Sequence, residues 1–216
     1  MGSRKTRKSA KLGKRQIICM DALQWLDKNY GLESIVTSIP EMEEIGTNQS
    51  HYETFFRNAA HKCLKSVKDD GYCIFLQTDR KYKGWIDKTY LTTDEAYKLG
   101  FKMIWHKIAL RQKVGTSGLF RPTYSHMVCY TKKGKVGKSF PDVMERGEVT
   151  YENAFGKNAV VAVLKYLKDG GIKNVVDPFV GSGTTIAIAN ELGMNGIGID
   201  INKSMCKKAE TLHITI

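Results

Sequence analysis

Short apolar runs alternate with segments of helical spacing along most of the chain. Residues 16–20 form an apolar run of strand length, and residues 22–26 follow it with the spacing of a helical turn. Residues 33–37 predict a second strand. Over 52–67, Tyr52, Phe55, Phe56, Ala59, Ala60, Cys63, Leu64 and Val67 share one helical stripe; Phe56 in it, and Trp25 among the apolar neighbours of 22–26, are expected core residues. A buried strand is predicted over 71–77. A helix is predicted over 92–99, ended by Gly100 as a C-cap glycine. Residues 101–110 and 124–130 read as strands joined by a basic loop, 111–123, that carries two glycines. With no helix between them, these two strands are expected to form an antiparallel hairpin at one sheet edge. Residues 131–156 are polar and irregular, and 158–167 predict a helix. The last expected elements are a strand ending at Asp177, a glycine-rich bend leading into a helix of small residues, and a strand over 196–200. Strands alternating with helices argue for one α/β domain over residues 16–216, with a mostly parallel sheet and helices on both faces.

Charge narrows the class. The 216 residues carry 34 Lys and Arg against 22 Asp and Glu, a formal net charge of +12. That balance points to a polyanionic partner, nucleic acid ahead of membrane. Residues 1–15 hold Arg4, Lys5, Arg7, Lys8, Lys11, Lys14 and Arg15 with no acid, so they read as a basic disordered tail. Such a tail suits a solvated terminus, a nucleic-acid arm or a nuclear address. Residues 1–6 also fit the loose myristoylation pattern. No apolar segment has the length of a membrane span and no signal-peptide pattern is present. Cys19, Cys73 and Cys129 fall within apolar runs and read as reduced core residues of an intracellular protein, cytoplasmic or nuclear. The five histidines form no ligand cluster, so no structural metal is expected; His106 and His126 read as structural.

The densest chemistry lies at Val175-Val176-Asp177-Pro178-Phe179-Val180-Gly181-Ser182-Gly183-Thr184-Thr185, followed by Gly196-Ile197-Gly198-Ile199-Asp200. Strand, tight turn, helix, strand and acid form the unit that holds a nucleoside-containing cofactor. The glycines allow close backbone approach, and Asp200 stands about 20 residues on, where a carboxylate accepts ribose hydroxyls. Gly183 is followed by Thr184-Thr185 and no lysine, which argues against phosphate gripping. Asp177 at the turn would repel a pyrophosphate and suit a cationic, phosphate-free cofactor.

Asp-Pro-Phe-x-Gly-Ser-Gly-Thr-Thr closely resembles the cofactor motif of the amino-group DNA methyltransferases, which methylate exocyclic nitrogens of adenine or cytosine. The resemblance implies S-adenosyl-L-methionine as cofactor and a class I, Rossmann-like fold. It extends along the chain. Ile18-Cys19-Met20-Asp21-Ala22 is similar to the family's strand-Gly-Asp segment near the adenine, with Met20 for the usual glycine. Thr37-Ser38-Ile39-Pro40-Glu41 stands where the family has Thr-Ser-Pro-Pro-Tyr or Asp-Pro-Pro-Tyr, and the segment 120–126 resembles the lead into the final hairpin strand. Lys157 stands near the family's Lys-Pro segment. The catalytic half precedes the cofactor half, the permuted order of one subgroup. By resemblance, Met20, Asp21, Ala22, Asp177, Pro178, Phe179, Gly181, Ser182, Gly183, Thr184, Thr185, Asp200 and Ile201 hold the cofactor.

An exocyclic amino group is a poor nucleophile, because its lone pair is delocalised into the ring. Acceptors must bond both N–H groups so that the lone pair faces the methyl sulfonium. Ser38 can supply a side-chain acceptor and Ile39 a carbonyl, held by Pro40; with Glu41 they form the expected acceptor site. The base must leave its stack, and an aromatic face usually receives it. Glu41 cannot stack a base. Three readings follow: Glu41 accepts an N–H while Tyr52, Phe55 or Trp105 supplies the platform; the substrate is already unstacked, as in RNA; or the site is inactive and the chain is a nucleic-acid-binding subunit of a larger complex. No large target-recognition region is present, so specificity would come from substrate shape, a free terminus or a partner subunit. Tyr52, Arg111, Lys113, Arg121 and Lys157 are candidate substrate contacts, with Lys132, Lys133, Lys135 and Lys138 as a phosphate patch.

Overall fold

The computed structural model describes residues 12–81, 84–150 and 154–216. The elements are β1 (Arg15–Cys19), α1 (Ala22–Leu26), β2 (Leu32–Thr37), α2 (Met42–Ile45), α3 (Gln49–Ser66), β3 (Val67–Gln77), α4 (Lys88–Lys98), β4 (Lys102–Leu110), β5 (Tyr124–Thr131), β6 (Val143–Glu145), α5 (Lys157–Asp169), β7 (Asn174–Asp177), α6 (Thr184–Glu191), β8 (Asn195–Asp200) and α7 (Lys203–Thr211). The strands form one sheet in the order β1-β8-β7-β2-β3-β5-β4-β6. Every neighbouring pair is parallel except the two that β5 makes, with β3 and with β4. One reversed strand in a parallel sheet is the class I S-adenosylmethionine-dependent methyltransferase architecture. Helices α1, α3 and α4 cover one face through Trp25, Tyr52, Phe56, Leu64 and Leu91. On the other face α5 and α6 pack through Val160, Val163, Leu164, Ile188 and Ala189. Both stripes repeat at helical spacing, so burying them against the β-branched sheet is the main gain of folding.

Several expectations need correction. The β4–β5 hairpin forms, but it does not end the sheet. β5 lies between β3 and β4, and β6, inside the expected irregular region, adds a parallel edge strand to β4. Helix α3 starts earlier than expected because the Asn48 side chain accepts from His51 N–H at 3.1 Å and caps a polar first turn. Helix α7 was not expected at all. Its N-cap Asn202 accepts from Ser204 N–H at 2.9 Å, and the helix packs beside β1 and β8. Cys19 is exposed on edge strand β1, whereas Cys73 and Cys129 are buried. Of the basic tail, residues 1–11 lie outside the described residues. Gly13 N–H donates to Asn190 O at 3.0 Å, and Arg15 reaches Ala209 O and Leu212 O at 2.9 and 2.8 Å, closing the last turn of α7. Among the described residues no helix is long and apolar enough to cross a membrane.

Candidate active site

Parallel β1, β8, β7, β2 and β3 end at the same side of the sheet, and the loops that leave them enclose a cavity of about 550 Å³. Its walls bring together Asp21 and Ala22 after β1, Ser38, Ile39, Pro40 and Glu41 after β2, Asp177, Pro178, Phe179, Gly181, Thr184 and Thr185 around the bend, and Asp200 and Ile201 after β8. Segments 140 residues apart in sequence, such as Thr37 and Asp177, thus meet because β2 and β7 are neighbours. Among the described residues five carboxylates line the cavity (Asp21, Glu41, Glu44, Asp177 and Asp200), and no lysine or arginine does.

The bend is held from both sides. Gly181 adopts φ 51° and Gly183 φ 96°, left-handed conformations that favour glycine. A side chain on Gly183 would also meet Ala209 of α7 at 2.7 Å. Asp200 Oδ2 accepts from Gly181 N–H at 3.0 Å and Oδ1 from Asn202 N–H at 2.8 Å, which fixes the carboxylate at the cavity floor. Asp21 is the N-cap of α1 and accepts from Gln24 N–H at 2.8 Å. Asp177 is buried; it accepts from Thr37 Oγ1 at 2.7 Å and from Phe179 N–H at 3.2 Å. Burial pushes its carboxyl up to about 6, against the pull of the Thr37, Thr185 and Phe179 donors. Three of the expected cofactor residues stand outside the lining. Met20 packs into the core beside α1 and α3, Ser182 turns to Thr150, and Gly183 lies under α7.

The segment Ser38 to Glu41 forms the opposite wall. Among the described residues neither Ser38 Oγ nor the Ile39 carbonyl has a hydrogen-bond partner. Tyr52 is not exposed to substrate: its ring is buried and its hydroxyl donates to Pro40 O at 3.1 Å, bracing the loop from behind. Glu41 is engaged. Its Oε2 accepts from Lys88 Nζ at 2.7 Å, Lys88 is fully buried, and the ammonium lies 5.7 Å from the Tyr52 ring centre. Burial lowers the Lys88 pKa and the Glu41 charge opposes that shift. The sequence reading missed Lys88, a lysine in the first turn of a helix with no local sign of burial. It also missed Phe155 and Arg146, which fall in the stretch read as irregular. Phe155 lines the cavity beside Phe55 and Phe179. Trp105 packs instead against Phe140 and Tyr166 at 5.3 and 5.5 Å, away from the cavity.

Of the substrate candidates, Arg111 and Arg121 gather with Arg146 in a cleft that shares Ser38 and Glu41 with the cavity. Lys113 is exposed in the hairpin loop, and Lys157 Nζ donates to Thr215 O at 2.5 Å. The lysine patch does not join the site. Lys132 and Lys133 pair with Asp69 at 3.5 and 2.8 Å, near the start of β3 and therefore at the opposite end of the sheet. His106 and His126, read as structural, sit on β4 and β5 with their ring nitrogens 2.8 Å apart.

The fold is that of the class I S-adenosylmethionine-dependent methyltransferases. Residues 159–211 match the profile of the N6/N4 methyltransferase family described as DNA methylase. The chain is 25% identical over 236 residues to the type II methyltransferase M.HpaI of Haemophilus parainfluenzae, covering 91% of this chain and 73% of that one. Its fold is similar to that of the cytosine-N4-specific PvuII DNA methyltransferase, with a TM-score of 0.74, 15% identity, and coverage of 95% of this chain and 89% of that one. It is likewise similar to M1.HpyAVI, solved as a complex with SAM (TM-score 0.64, 17% identity, coverage 91% and 97%). In fold, and in sequence over residues 159–211, the chain is thus similar to the amino-group DNA methyltransferases.

Proposed function

We propose that this chain transfers a methyl group from S-adenosyl-L-methionine to an exocyclic amino nitrogen of a base in DNA or RNA; the names of the relatives favour DNA. One observation carries the reading. Among the described residues, five carboxylates and no lysine or arginine line a cavity whose wall carries two acceptors without a hydrogen-bond partner, Ser38 Oγ and the Ile39 carbonyl. That wall chemistry suits a cationic nucleoside and rejects a pyrophosphate. Asp200 would accept the ribose hydroxyls, Asp21 would face the adenine, and Asp177 through Thr185 would hold the methionine part beside Phe179. When bound, the cofactor supplies a methyl carbon on a positively charged sulfur. Ser38 Oγ and Ile39 O accept the two amino N–H groups and so turn the nitrogen lone pair toward that carbon. Catalysis is then positioning plus electrostatics. The amino proton leaves after transfer, so the site needs no strong base. Labelled methyl transfer to pooled DNA and RNA, followed by nucleoside mass analysis, tests this. Ser38→Ala is expected to lower the rate roughly a hundredfold, the scale of losing one preorganised polar contact. Full rate in that variant removes Ser38 from the acceptor role.

A second reading, a non-catalytic subunit that binds cofactor and nucleic acid within a larger complex, is favoured by the Glu41–Lys88 pair. It commits the position to a buried ion pair where a stacking ring would be expected. Saturable cofactor binding without product on any nucleic-acid pool would select it.

A further inference from the structure

The carboxylate-lined cavity has a neighbour of opposite charge. The adjoining cleft shares Ser38, Glu41, Ala154 and Phe155 with it and is walled by Arg111, Arg121 and Arg146. The three guanidiniums come from separate places. Arg111 follows β4, and its N–H closes the hairpin loop on Thr123 O at 2.7 Å. Arg121 leaves the same loop at its far end. Arg146 follows β6, its N–H on Leu110 O at 3.0 Å. Backbone pairing therefore pins Arg111 and Arg146 to one end of β4. Among the described residues the only carboxylate in the cleft is Glu41; its Oε2 is held by Lys88, and its Oε1 stands 3.9 Å from Arg121. Among the described residues, the guanidiniums of Arg111 and Arg146 have no acidic partner. Burial and the charges of Arg146 and Arg121 both weaken proton affinity at Arg111, which places the three cations within one field.

Gathering half-buried cations without counter-charge is unfavourable unless an anion completes the cluster. Guanidinium forks fit phosphate oxygens in particular. Phe155 adds an aromatic surface at the seam between cleft and cavity, next to Ser38. We infer that the cleft is a nucleotide subsite: Arg111, Arg121 and Arg146 receive a phosphate attached to the nucleoside being methylated, and Phe155 receives its base. This rests on the function proposed above. It also accounts for how a loop with Glu41 in place of a ring could hold a base.

Binding of a short fluorescein-labelled single strand, measured across a salt series, tests the assignment. Wild-type protein is compared with Arg111→Gln, Arg146→Gln, the double variant, Phe155→Leu, and Lys65→Gln, a change at the exposed end of α3. Each arginine change is expected to weaken binding several-fold and to lower the slope of log K against log salt by about 0.7, the share of one single-strand phosphate contact. Phe155→Leu is expected to weaken binding about fivefold or more with the slope unchanged, as loss of stacking does. Lys65→Gln should match wild type in affinity. Cofactor titration and melting temperature, measured on every variant, report folding separately. Competition by adenosine 5′-monophosphate but not adenosine, lost in the arginine variants, assigns a free nucleotide; competition by the strand alone assigns a phosphodiester. An unchanged salt slope in the double variant overturns the subsite. So does wild-type protein that binds the cofactor but neither phosphate probe, and that result leaves the methyltransferase reading standing. Arginine-dependent strand binding without cofactor binding would do the reverse.

Discussion

Asp177 stands between stability and binding. Its carboxyl, raised to about 6 by burial, holds a proton in the native state that the unfolded chain has already released. From about pH 4 to about pH 6 the folded state therefore binds more protons, so this residue's contribution to stability falls as pH rises through that window and then levels. A cationic cofactor has the opposite demand. It is attracted to the ionised form, so its affinity should climb as pH passes about 6. Calorimetric titration with S-adenosyl-L-methionine between about pH 5 and 8 checks this. Asp177→Asn is expected to flatten the pH dependence and to weaken binding about tenfold, on the scale of one lost charge contact. A climb that persists unchanged in Asp177→Asn would assign the titration to another group. Glu41 and Lys88 are the other residue-scale feature. Each is tolerable where it stands only because the other is there, since a buried charge without its partner costs about 3–5 kcal/mol.

At the scale of elements, β7, the bend and α6 work as one piece because α7 covers them. Gly183 combines φ 96° with a direct approach to Ala209, so Gly183→Ala meets both backbone strain and a clash. Gly31 has φ 72° and open space around its missing side chain, so Gly31→Ala meets the strain alone. Thermal melts of the two variants should therefore separate. Gly31→Ala is expected to cost about 1 kcal/mol, and Gly183→Ala at least twice that, each kcal/mol lowering the midpoint by about 2–4 °C. Equal midpoints would mean that α7 yields freely to the extra methyl. The same helix lends the cavity Met205.

The whole molecule is electrically divided. A carboxylate cavity and an arginine cleft share one wall, while much of the excess positive charge lies in the first 15 residues. Removal of residues 1–11 deletes Arg4, Lys5, Arg7, Lys8 and Lys11 and leaves β1 intact. Strand affinity and its salt slope are expected to fall together, and cofactor affinity to stay as it was. An unaltered slope would show that the basic segment takes no part in binding phosphate.

Much of this was legible in the chain. The order of strands and helices, the stripes of α3 and α5 and the glycine-rich bend follow from local spacing, because a stripe or a turn is specified by residues close together in sequence; the segment Ser38 to Glu41 was picked out by resemblance alone. What local spacing does not carry is adjacency. That β5 runs inside the sheet and β6 outside, that Tyr52 braces Pro40 from behind, and that Lys132 and Lys133 lie at the opposite end from the site depend on contacts across tens of residues. Lys88 and Arg146 were invisible for the same reason. Charge is written in the sequence, but whether a charge is buried, paired or left facing a cleft is settled only when distant segments pack and exclude water.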